Sequence, residues 1–140
     1  MISESLGATK MGTVGEQLVR YKLLRWGYDA IIMEQGSKYD ILVMKDQKPI
    51  RLQVKSAKSL YSQTRNDKFK LYNHYRFNTS FGRNGSLYTT NDVDLFAFVA
   101  LDIEQILFTE VPTIKTTSIP LNKLSKSSGF NSWSELVERF

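Results

Sequence analysis

The sequence contains no cysteine. That absence excludes a disulfide framework, a thiolate nucleophile and every zinc site built on sulfur, and it suits a reducing cytoplasm, the compartment expected for this chain. A metal ion would have to be held by oxygen. Histidine is almost as scarce. His74 stands alone, without a partner at metal or triad spacing, and reads as a surface or nucleic-acid contact rather than a catalyst. Long apolar runs are missing too: Leu95 to Leu101 is bracketed by Asp94 and Asp102, far short of the roughly 20 residues that cross a membrane. No basic–apolar–small leader pattern is visible, so a soluble protein without a membrane partner is expected. No internal repeat, low-complexity linker or composition shift marks a boundary. The 140 residues therefore read as one domain over 1–140, and 41% hydrophobic with 12% aromatic residues is enough for a buried core.

What is present is unevenly distributed charge. The chain carries a net +5, yet residues 55–90 alone hold seven cations (Lys55, Lys58, Arg65, Lys68, Lys70, Arg76, Arg83) against Asp67, a local +6. The other 104 residues are nearly neutral. Within that block Tyr61, Phe69, Tyr72, Tyr75, Phe77, Phe81 and Tyr88 alternate with amides and hydroxyls. Cations, stacking faces and amides together suit a nucleic-acid surface. A solvated sheet face is the plainer alternative.

Hydrophobic spacing predicts a helix from Thr13–Val14 to Gly27, with Val14, Leu18, Tyr21 and Leu24 recurring and Val19, Leu23 and Trp26 beside them. Ala30 to Met33 and Tyr39 to Met44 read as strands, a turn at Asp46 to Pro49 reverses the chain, and Ile50 to Ala57 alternates cleanly. Ile50, Leu52 and Val54 would share one face and Arg51, Gln53 and Lys55 the other. Further on, Phe69 to Phe77 reads as one extended segment, Arg83 to Ser86 as a turn, Leu95 to Leu101 as a buried strand and Ile103 to Val111 as its partner, ended by Pro112. A helix over about Ser132 to Phe140 closes the chain, and Trp26 and Trp133 read as core anchors.

Gln53 and Lys55 lie two apart and must share a face, and Asp40 opens the preceding antiparallel strand. A carboxylate, an amide and an ammonium then converge. Such a set makes sense where a hard divalent cation and a phosphate are held together. Each residue has a plainer reading: Thr13-x-x-Glu16 as a capping box, Asp40 as a turn-flanking carboxylate, Gln53 and Lys55 as the solvated face of an ordinary strand.

In combination these residues resemble the PD-(D/E)XK nucleases, which include restriction enzymes, junction resolvases and some homing endonucleases. The matching pieces are Gly15-Glu16 on the first helix, Ser37-Lys38-Tyr39-Asp40, Gln53-Val54-Lys55, and Asn91-Asp92-Val93-Asp94-Leu95-Phe96 leading into a buried strand. Tyr39 replaces the proline of the family name, and Gln53 replaces its second acid, a variation resembling homing endonucleases of this fold. The resemblance implies an α/β, restriction-endonuclease-like core with a central mixed sheet flanked by helices. It implies Mg²⁺, with Mn²⁺ able to substitute, held by Asp40, Gln53, the Val54 carbonyl and Glu16, with Lys55 orienting the attacking water.

The expected function is a sequence-specific, homing-type endonuclease of double-stranded DNA, acting as a homodimer or homotetramer because one site cuts one strand. Its DNA contacts would come from Lys58, Arg65, Lys68, Lys70, Tyr72, His74, Arg76, Arg83 and Asn84. A junction resolvase, a restriction-type enzyme and a catalytically inactive DNA-binding module are the alternatives.

Overall fold

A computed structural model describes residues 7–126 and 129–140. Helix α1 spans Ala8–Arg25, starting earlier than hydrophobic spacing predicts. Thr13 therefore lies inside the helix, where its hydroxyl donates to the Thr9 carbonyl at 3.1 Å. That overturns the capping-box reading and frees Glu16 from it. Gly27 ends the helix as expected, at φ +92, a left-handed conformation that glycine adopts without steric cost. The buried stripe is not the one expected. It runs through Gly15, Val19 and Leu23, whereas Val14, Tyr21 and Leu24 are exposed. A glycine in the i, i+4 row contributes nothing to a hydrophobic pattern, so the pattern pointed to a neighbouring face.

Strands β1 (Asp29–Ile32), β2 (Ile41–Lys45) and β3 (Lys48–Ala57) form the expected meander. The β2–β3 hairpin turns on Asp46 and Gln47, both at positive φ, the hand that matches strand twist. Then come β4 (Ser62–Arg65), β5 (Lys68–Leu71), β6 (His74–Asn78), β7 (Ser80–Phe81), β8 (Ser86–Leu87), β9 (Leu95–Ala100), β10 (Gln105–Thr109) and β11 (Thr116–Pro120). Helices α2 (Leu121–Lys126) and α3 (Gly129–Val137) follow. The single extended segment expected over Phe69 to Phe77 is broken at Tyr72-Asn73. There the chain changes partner, since β5 pairs with β4 and β6 with β11.

The central sheet has the order β1-β2-β3-β9-β10, with β3 and β9 parallel and all other neighbours antiparallel. One face packs Ile50, Leu52, Val54, Leu95, Ala97 and Val99 against Val19 and Leu23 of α1 and Trp133 and Val137 of α3. The other face packs Phe96 and Phe98 against Tyr75, Phe77, Tyr88, Ile119 and Leu124. Helices thus flank a mixed sheet, as expected. Strand β9 is buried throughout, which accounts for its continuous apolar character. Trp133 is a core anchor with no exposure, and Trp26 packs beside the same core. Parallel strands need a long crossover, and here residues 58–94, nearly the whole basic block, supply it. No helix among the described residues is long and apolar enough to cross a membrane.

Candidate active site at the end of strand β3

Asp40 sits immediately before β2 rather than inside it. Its backbone is held on both sides: its N–H donates to Leu52 O at 2.7 Å, and its carbonyl accepts from Met33 N at 2.8 Å. The side chain is then fixed by β3. Asp40 Oδ2 accepts from the Val54 N–H at 2.8 Å and from Gln53 Nε2 at 2.8 Å. Gln53 is only 7% exposed, which excludes the solvated-face reading for it. Its Nε2 also leans on the Val54 carbonyl at 3.4 Å. Gln53 and Lys55 share a face as alternation required, being level with Phe96 and Phe98 of β9. Asp40, Gln53, Val54 and Lys55 are therefore brought together.

Lys55 has an anchor that strand alternation did not reveal. Its ammonium donates to Tyr88 Oη at 3.3 Å and lies 5.1 Å from that ring's centroid. Tyr88 is buried among Phe81 and Phe96. It lies 33 residues further along the chain, and only its place among the aromatics of the basic block hinted at a role. Burial lowers the Lys55 pKa from its ordinary value, with the Asp40 charge pulling the other way. Burial and the Asp40 charge push the Tyr88 hydroxyl up to about 12, so it remains a neutral donor and acceptor at physiological pH.

Glu16 reaches the same place from α1. Helix and strand meet closely at Gly15, where an added Cβ would stand 1.8 Å from Ser56 Oγ. Only glycine allows that approach. Burial, and then repulsion from Asp40, push the Glu16 carboxyl up to about 7. Asp40 is likewise raised by burial, against the opposing effects of the Val54 N–H and the Lys55 charge. Two acids that burial makes harder to ionise, beside an amide and a carbonyl, form a set of oxygen donors that a cation would relieve. Among the described residues no group of three acidic, histidine or cysteine side chains converges. Any ion here would rest on two carboxylates and neutral oxygens, an arrangement suited to Mg²⁺, which retains several waters.

The segment leading into β9 is a clamp rather than part of this set. Asp94 accepts from the Arg51 backbone N–H and from its guanidinium, which also donates to the Thr90 and Asn91 carbonyls. It joins β3 to the end of the crossover.

The expected DNA contacts occupy other places. Arg65, Lys68 and Lys70 lie on an exposed β4–β5 ribbon, and Arg83 and Asn84 are exposed between β7 and β8. Tyr72 and His74 form an aromatic group with Tyr61, the three rings 5.2 to 5.6 Å apart. Arg76 covers Tyr61 at 4.8 Å, and Lys58 follows β3 directly. Strand β6 packs over the sheet face that carries Gln53 and Lys55.

No family model and no curated protein matches the chain. Its structure is similar to that of a bacterial homing endonuclease, I-Ssp6803I, with a TM-score of 0.67 and 17% identity over 95% of each chain. At that identity the likeness is one of fold.

Proposed function

We propose that this chain is a Mg²⁺-dependent endonuclease of double-stranded DNA, of the homing type and of the PD-(D/E)XK class, active as an even-numbered homo-oligomer. The convergence of Asp40, Gln53, the Val54 carbonyl and Lys55 at one end of β3, with Glu16 beside them, carries the reading. The fold shared with a bacterial homing endonuclease supports it, as does the +6 block of residues 55–90 that begins on the same strand.

Asp40, Glu16, Gln53 and the Val54 carbonyl would hold the cation, and Mn²⁺ would fit the same hard donors. Held there, it supplies charge neutralisation at the phosphate and a lower pKa for the attacking water. Gln53 turns its Nε2 toward Asp40 here, and a half-turn of the amide would offer its oxygen instead. A glutamate at this position would add a third carboxylate beside two acids already raised by burial. Lys55, fixed by Tyr88, orients the attacking water and stabilises charge growing on the phosphoryl oxygens.

Lys55→Ala and Asp40→Ala should each reduce strand scission on a susceptible duplex by at least roughly 10²-fold, with duplex affinity in gel shifts nearly unchanged. Normal cutting by the double variant would refute the proposal. Binding without any Mg²⁺-dependent product from the unaltered chain would indicate an inactive module, and preferential cutting of four-way junctions a resolvase.

A further inference from the structure

The β4–β5 ribbon has two chemically opposite faces. Directly paired residues of antiparallel strands share a face, and the register pairs Gln63 with Lys70 and Arg65 with Lys68. These four form one side. The other consists of Ser62, Thr64, Phe69 and Leu71. The ribbon turns on Asn66 and Asp67, both left-handed, so it is a tight two-residue hairpin rather than a loose loop.

The polar face is organised in advance. Tyr72 Oη donates to Gln63 Oε1 at 3.0 Å, and Lys70 Nζ lies 4.5 Å over the Tyr72 ring. Tyr72 is itself tied to the body, since its N–H donates to Tyr61 O and Tyr61 N–H donates to His74 O. The oxygen of the Gln63 amide is thereby engaged, while its N–H₂ donors make no hydrogen bond among the described residues. An exposed polar hairpin built only for solubility needs no such bracing.

We infer that this ribbon enters the DNA major groove with the Gln63–Arg65 face against base edges, making these two residues determinants of sequence choice. The inference rests on the DNA reading above. Four paired residues extend about 13 Å, and the groove is about 12 Å wide and about 8.5 Å deep, admitting a two-stranded ribbon. Arg65 offers the guanidinium fork that matches the O6 and N7 acceptors of guanine, and Gln63 donates to a purine N7. Lys68 and Lys70, point charges on flexible stems, suit the phosphates at the groove's rim. Asp67 at the tip would be repelled by phosphate, whereas the floor of the groove offers it the cytosine amino group.

The test is selection of bound duplexes from a randomised library by the intact chain, read by sequencing, so that no cleavage is required. The unaltered protein should enrich a defined site. Gln63→Ala and Arg65→Lys should each lose roughly 10- to 100-fold of the base preference at one or two positions, and the second variant keeps its charge and its salt dependence. Thr64→Ala and Leu71→Ala, on the opposite face, should enrich the same site as the unaltered chain. Circular dichroism of every variant should match the parent. Binding with no enrichment, unchanged enrichment by Gln63→Ala and Arg65→Lys, or a preference altered by the opposite-face variants would overturn the ribbon inference and leave DNA binding standing. Failure to bind any duplex would remove both.

Discussion

Burial makes the Glu16 carboxyl harder to ionise, and the Asp40 charge adds to the effect. The ordinary value for Glu16 is 4.5 and the folded value about 7, so between those limits the folded chain binds more protons than the unfolded one. Stability must then decline as pH rises through that window. Thermal unfolding in chelator should show the midpoint falling from pH 5 to pH 7.5, and Glu16→Gln should flatten the decline. Added Mg²⁺ should recover stability at pH 7.5 but not at pH 5, because a ligating carboxylate must first lose its proton. A midpoint that rises over the same range in the parent, relative to Glu16→Gln, would contradict the coupling. At this scale Asp40, Gln53 and Lys55 were legible, because a period of two and one tight turn are enough to bring them together. Tyr88 was not, because no local rule connects positions 33 apart.

The contact between α1 and β3 is set by one missing methyl group. Alanine favours a helix interior over glycine by about 1 kcal/mol, yet at Gly15 the new Cβ would collide with Ser56 Oγ. Gly15→Ala should therefore destabilise the chain by about 1–3 kcal/mol and reduce cleavage, since Glu16 moves with the helix. Ser56 Oγ is buried without a hydrogen-bond partner, so Ser56→Gly removes the obstacle without breaking a bond. The double variant should recover most of both losses in urea midpoints and in cleavage rate. If Gly15→Ala alone were stabilising, the close approach would not be what positions Glu16. Helix, meander and β9 were readable from period and burial. The α1 face was not, because its contact residue has no side chain, and β11 with α2 was not, because β11 gains its partner only when β6 arrives from 38 residues or more upstream.

Across the whole molecule the positive charge is concentrated in residues 55–90, and the remaining scaffold is nearly neutral. If the block is the DNA interface and Gln63 and Arg65 meet bases, the phosphate contacts would come from Lys58, Lys68, Lys70, Arg76 and Arg83. The slope of log K against log salt should then be about −4 to −5 per bound subunit, at about −0.9 per contact. A flat response would exclude the block as the interface. Sedimentation of the cleaving species should give an even number of subunits, and double-strand cutting by a monomer would count against paired sites. The position of that block between β3 and β9 has a consequence for how such a protein can change. Both ends of the insertion are held by the parallel pair and the Arg51–Asp94 clamp. Lengthening a segment tethered in this way costs little, about 0.6 kcal/mol for each doubling of loop length. The exposed β4–β5 hairpin can be extended, trimmed or exchanged while β6 and Tyr88 stay packed and Asp40, Gln53 and Lys55 keep their places, which under the proposed function would allow new targets without rebuilding the site.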